Sequence, residues 1–154
     1  MVSPELIRRY PFFAGLSHDQ VVTLAMAANE EEAGAGHFFL HEGDTVPYLY
    51  LVVEGAVSVV IELPSHPQEI SIAEVGSGEV FGWSALVPPH TAIASVKAAG
   101  SCRVVAIDCQ KLLRVFEEDP RFGYIMMARA AQATRDRVAI INMETLAFLM
   151  EKAR

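Results

Sequence analysis

Few residues in this chain could do chemistry, and their spacing points to recognition rather than catalysis. Residues 81–98 read FGWSALVPPHTAIASVKA. The run holds the only tryptophan, Trp83, and one imidazole, His90. An indole offers an apolar face for stacking and a single N–H donor. A neutral imidazole accepts or donates, and becomes a cation a little below pH 7. Pro88 and Pro89 stiffen the segment between them. Trp83 therefore reads either as a platform for an apolar or aromatic ligand or as a plug that fills the core. His90 reads either as a ligand contact or as an ordinary loop histidine. Elsewhere the chemistry thins out. His37 and His41 stand four apart on a predicted strand, roughly 13 Å along it, too far for one metal ion. No Cys/His/Asp group has zinc spacing. Cys102 and Cys109 are isolated, and buried structural thiols are expected for both. No nucleophile, base and orienting group fall together, and no carboxylate pair is placed for acid–base work. The chain is expected not to be an enzyme, and no cofactor or metal is implied.

Three zones must position that run. The first is helical. Ser3 with Pro4 can start a short helix. Ser17 and Gln20 have capping-box spacing before LSHDQVVTLAMAANE, with Val21, Leu24, Ala25 and Ala28 on one face. The second zone, from about Glu32 to Ile107, reads as short strands between turn signals. HFFLHEGD ends at a Gly-Asp turn, YLYLVVEGAVSVVIEL splits at Glu54-Gly55, and QEISIAEVGSGEVF and AIASVKAAGSCRVVAID each hold a glycine turn. Many short strands at regular spacing predict a β-sandwich or barrel. The third zone is helical again: Asp108 caps CQKLLRVFEE, then Asp119 and Pro120 open a helix of up to roughly 50 Å.

Composition narrows the partners. Over half of the 154 residues are apolar, which argues for a packed core without metal or disulfide staples. No apolar stretch reaches the roughly 18 residues of a membrane span, and MVSPELIRRY has no apolar signal core. Two cysteines suit a reduced, cytoplasmic setting. Residues 1–118 carry six Lys/Arg against fifteen Asp/Glu, whereas residues 119–154 carry six against four. A body of this sign is a poor fit to phosphate backbones, so no nucleic acid is expected as a direct partner.

The pieces, in order, resemble the cyclic-nucleotide-binding domain of catabolite-activator transcription factors, protein kinase A regulatory subunits and gated channels. YPFFAGLSHDQVVTLA is similar to the family's opening segment. LHEGDTVPYLYLVVEGAVSVVI is similar to its glycine-punctuated hairpin, and GSGEVFGWSAL to the approach to its phosphate-binding cassette. ASVKAAGSCRVVAIDCQKLLRVF is similar to its last strands and following helix. The resemblance spans nearly the whole chain. It implies a mostly β fold, an eight-stranded, jelly-roll-like double-stranded β-helix (a β-roll), with N-terminal helices and a long C-terminal helix. It also implies a β-roll unit over residues 1–118 and a dimerisation helix over 119–154.

The family's cassette runs Phe-Gly-Glu, a short helix, then Arg and two small residues. The resemblance gives Glu the ribose hydroxyl and Arg the cyclic phosphate, with backbone N–H groups completing the anion site. Phe81 and Gly82 match, but Trp83 takes the Glu place and Ala92 the Arg place. No Lys or Arg lies between Gly76 and Val96. Losing the Arg contact alone weakens phosphate binding by roughly one to two powers of ten. The candidate ligand residues are therefore Phe81, Gly82, Trp83, Ser84, Ala85, His90, Thr91 and Ala92, for a nucleotide-like or aromatic small molecule that is not cAMP or cGMP held in the usual way. A ligand-free scaffold that dimerises or docks on a partner is the alternative.

The C-terminal helix is apolar nearly all round from Val138. Met126, Ala133, Ile140, Met143, Ala147 and Met150 follow alternating spacings of three and four, the pattern of a coiled-coil seam. A helix with two apolar faces buries both, so a homodimer through this seam is expected. The transcription factors of the family continue into a DNA-reading helix-turn-helix. Here the sequence stops at Arg154, so the expectation is a stand-alone sensor whose output passes through a protein partner.

Overall fold

The computed structural model describes residues 1–65 and 67–154. Helix α1 (Pro4–Arg8) begins at Ser3, whose side chain accepts from Glu5 N. A 3-10 turn at Pro11–Phe13 leads to α2 (His18–Met26), which carries the expected capping box between Ser17 and Gln20. Eight strands follow in two antiparallel sheets of four. They are β1 (Ala28–Ala33), β2 (Phe38–Leu40), β3 (Tyr48–Glu54), β4 (Val57–Glu62), β5 (Glu69–Val75), β6 (Val80–Phe81), β7 (Ser95–Ala98) and β8 (Cys102–Asp108). One sheet orders them β1-β8-β3-β6, the other β2-β7-β4-β5. This is the jelly-roll-like β-roll expected, closed by α3 (Cys109–Glu118) and the 33-residue α4 (Pro120–Lys152).

The core follows from the alternation of strand faces and from two central strands buried on both. Leu49, Leu51 and Val52 of β3 and Val104, Val105 and Ile107 of β8 are fully buried. Each such side chain contributes about 1.5–3 kcal/mol. At the β3–β4 turn Gly55 has φ +88°, and a Cβ there would meet Ser101 O at 2.6 Å. The Glu54-Gly55 punctuation is thus a steric requirement.

One boundary differs from expectation. The second helix stops at Met26, and Ala28, placed on its face by periodicity, is instead buried at the start of β1. Glu30, Glu31 and Glu32 favour helix intrinsically, but β1 pairs with β8 from Ala28↔Ile107 to Ala33↔Cys102. Pairing outweighs propensity, and the three exposed carboxylates charge the outer edge of the sheet, which discourages edge-to-edge association.

A single carboxylate joins the front and back helices. Asp119 caps α4 by accepting from Phe122 N at 3.2 Å, and its other oxygen accepts from Gln20 Nε2 at 3.0 Å. Gln20 Oε1 in turn accepts from Ser17 N at 2.9 Å. Phe122, Met126 and Ala130, four apart, then press the first turns of α4 on the core. We expect Asp119→Ala to cost about 2 kcal/mol, a lost cap plus a lost side-chain bond, and Asp119→Asn, whose one oxygen keeps the cap but whose NH2 cannot accept from Gln20 Nε2, to cost about half of that. Urea unfolding midpoints measure both, and an unchanged midpoint for the alanine variant would refute the joint role.

Candidate ligand-binding loop

The loop from Phe81 to Ala92 is shaped by its backbone. Gly82 has φ +85°, and a Cβ there would lie 2.8 Å from Tyr48 O. Only glycine lets the chain leave β6 at this angle so close to β3. A 3-10 turn follows at Trp83–Ala85. It is closed by Ala85 N to Gly82 O at 3.1 Å and Leu86 N to Trp83 O at 3.0 Å. Buried Leu86 anchors it.

The return limb is stitched to the segment before β3. Val46 N donates to His90 O, Ala92 N to Asp44 O, and Gly43 N to Ala92 O, each at 2.8 Å. Thr91 pairs with Thr45. His90 takes the left-handed conformation, φ 63°. Its Nδ1 lies 2.8 Å from Ser84 O. A carbonyl only accepts, so Nδ1 donates in this bond. The imidazole thereby ties the return limb to the 3-10 turn. Sequence reasoning offers His90 as a ligand contact or an ordinary loop histidine and misses this latch; its place just after two prolines is the available signal.

The candidate residues divide by burial. Phe81 is buried and stacks on Tyr50 at 4.8 Å, with Phe39 at 5.5 Å, so its ring is core. Ala85 is buried too. Ala92 is only 5% exposed, its methyl turned inward where the family pattern has arginine. Gly82, Trp83, Ser84, His90 and Thr91 remain partly open. Trp83 packs on Phe12 with ring centroids 5.3 Å apart. Its Nε1 is buried, with no hydrogen-bond partner among the described residues.

No strong nucleophile is poised nearby. Both cysteines are buried and free, as expected. Burial pushes the Cys109 thiol up to about 12, against a lowering bond to the Leu49 backbone and with a further push from Asp108. Burial likewise raises Cys102. The Tyr50 phenol is pushed up to about 12, chiefly by burial and then by Glu31 and Tyr48.

The predicted helix seam is not uniform. Met126 is 0% exposed, packed in the chain's own core, so as a seam residue it is corrected to a core residue. The heptad-like spacing continues into the stretch where α4 lies on the body, and periodicity alone does not separate the two uses. Ala133 is half-buried, whereas Ile140, Met143, Ala147 and Met150 are exposed. Between one face of α4 and the β5–β6 turn lies a groove that sequence reasoning missed. Its trace in the sequence is the mixed stripe from Arg129 to Glu144.

Residues 30–119 match the Cyclic nucleotide-binding domain family, and the chain belongs to that family. A protein of Geobacter metallireducens GS-15, assigned to the cyclic nucleotide-binding proteins, superposes with a TM-score of 0.80 at 30% identity, over 90% of this chain and 99% of that one. The Catabolite Activator Protein of Thermus thermophilus superposes with a TM-score of 0.68 at 26% identity, over 90% of this chain and 63% of that one. The cAMP-dependent protein kinase type II regulatory subunit of Drosophila melanogaster is 31% identical over 96 residues, 62% of this chain. The chain spans a quarter of that subunit's length. Among the described residues no helix is long and apolar enough to cross a membrane.

The unpaired indole sets a test. Trp83→Ala should destabilise the protein by about 3–5 kcal/mol if the ring is a core plug, and by much less if it lines an open ligand site. Trp83→Phe keeps most of the ring and removes a buried donor whose solitude costs about 1–3 kcal/mol. It should therefore lose under about 1 kcal/mol. Urea unfolding followed by circular dichroism separates the two, and equal losses would show that the ring does not pack as described.

Proposed function

We propose that this chain is a regulatory module that senses a small molecule and does not hold a cyclic nucleotide as its family does. Ala92 carries this reading. It stands at the arginine place, its methyl is buried, and both its backbone groups are already bonded to residues 43 and 44. No cation in the loop meets a cyclic phosphate, and an acidic body disfavours an anion further. Trp83 reverses the hydrogen-bond sense of the other anchor. A carboxylate accepts from a hydroxyl, whereas an indole N–H donates. The ligand that suits Gly82, Trp83, Ser84, His90 and Thr91 is uncharged and apolar or aromatic. Family membership supports a ligand of some kind. The alternative, a ligand-free scaffold, is favoured by one observation: Trp83 rests on Phe12 and the core.

The same proposal assigns residues 1–118 to the sensing body and α4 to dimerisation. Ile140 is 56% and Met143 72% exposed on one helix, and water-facing apolar side chains in series favour a second helix. Neither nucleic acid nor membrane enters the proposal, a cytoplasmic setting suits it, and output passes to a protein partner.

Three measurements test it. Millimolar cAMP should leave the melting temperature unchanged, and a one-to-one isotherm with a dissociation constant below about 10 μM would overturn the reading. Trp83→Glu with Ala92→Arg restores both family anchors and should gain measurable cyclic-nucleotide binding, each contact supplying about 1.5–3 kcal/mol. A folded double variant that binds no millimolar nucleotide favours the scaffold. Light scattering should return a dimer that dissociates on Ile140→Glu with Met143→Glu, since like charges cannot share a dry seam. A wild-type monomer at about 50 μM would end the dimer assignment.

A further inference from the structure

The groove beside α4 is lined by none of residues 81–92. It encloses about 520 Å³, within the range of small-molecule sites. Its apolar wall is Phe12, Ile72, Val80, Ile140 and Ile141. Its helical wall runs from Arg129 to Glu144 on one face of α4, about 22 Å along the axis. The site is therefore long and narrow. One end is fixed where Arg129 Nη2 donates to Ala14 O at 2.8 Å, two residues past Phe12. The other end holds Ile140, Ile141 and Glu144.

Charge along the groove is net negative, two guanidiniums against four carboxylates. Arg129 is held at one end by Ala14 O, and Arg137 faces Glu79 at 3.9 Å. Four carboxylates line it: Glu74, Glu79, Asp136 and Glu144. Glu79 faces Arg137, and Asp136 faces Arg135 at 3.6 Å. Glu74 and Glu144 form no ion pair among the described residues. Apolar walls with surplus negative charge repel an anion and attract a cation that carries an apolar body.

We propose that this groove binds an elongated amphipathic cation. The apolar body lies along Phe12, Val80, Ile140 and Ile141, and the cationic head sits by Glu144 and Glu74. Phe12 also packs on Trp83, so occupancy reaches the single indole as a fluorescence change.

Octyltrimethylammonium, octanol and octanoate, all below micelle-forming concentrations, are titrated into the full chain by calorimetry and Trp83 fluorescence. One site per chain is expected, with the order cation, alcohol, carboxylate. The cation should exceed the carboxylate by about tenfold, a margin that shrinks with salt. Glu144→Gln should narrow that margin, and Glu144→Lys should reverse it. Several weak sites, no charge order, or an unchanged order in Glu144→Lys would overturn the proposal. Met143→Glu with Met150→Glu opens the seam without touching a groove residue. If octyltrimethylammonium binds only to that variant, a second copy of the chain fills the groove and the small-molecule site is refuted. None of these variants touches residues 81–92, so loss of loop binding leaves the result standing.

Discussion

Tyr48 O sits 2.8 Å from where a Cβ at Gly82 would be. That contact fixes how the chain leaves β6, and most of the loop's form follows from it. The turn after Gly82 must be tight, so Trp83 is carried over toward Phe12. The chain then returns along residues 43–46 through three main-chain bonds of 2.8 Å. None of these ties uses a recognition side chain. Main-chain hydrogen bonds are indifferent to what the side chains do. The loop's outline therefore does not depend on its side chains, and shape alone does not report a ligand.

Removing the anchors changes which ligand is stabilised. A charged ligand in a partly desolvated loop needs an opposite charge or several good donors. On the proposed alignment Ala92 stands in place of arginine and only backbone groups remain for an anion. A neutral ligand, as proposed, carries no such desolvation cost. The Trp83 Nε1 is buried with no partner among the described residues, a cost of about 1–3 kcal/mol. That atom is out of a ligand's reach, so the partly open face of the ring is what separates a platform from a plug.

The sequence showed most of the frame because its signals were local. Gly55 marks a real steric limit, Ser17 with Gln20 makes a real capping box, and Asp108 and Asp119 cap the helices that follow them. β1 was hidden because Ala28–Ala33 is held by a partner some seventy residues later, against the helical leaning of its glutamates. The cassette's departures from the resembled pattern were visible in the sequence, since they are residue types at given positions. The latch from His90 to Ser84 O was not, because it depends on a backbone angle. Met126 and Ile140 share one periodicity and have opposite fates, buried and exposed. Spacing gives a face; only the distance to the body says what that face meets.

That distance makes α4 two structures in one helix. Up to Ala130 its buried side chains belong to the body. Beyond it, Arg137 to Glu79 at 3.9 Å is the ion pair that reaches back to the β5–β6 turn. An exposed pair of this length is worth about 0–1 kcal/mol, too little to fix a lever that continues fifteen residues further to Lys152. The position of the outer helix must then be set by what covers its apolar sides. Ala133 and Ile140 sit where the groove and the seam meet. A molecule in the groove and a second helix on the seam would touch the same two side chains. Occupancy of one surface thus shifts the free energy of the other, and by linkage the effect is reciprocal. If α4 pairs and the groove fills as proposed, this is a physical route from ligand to assembly that needs no change within the β-roll.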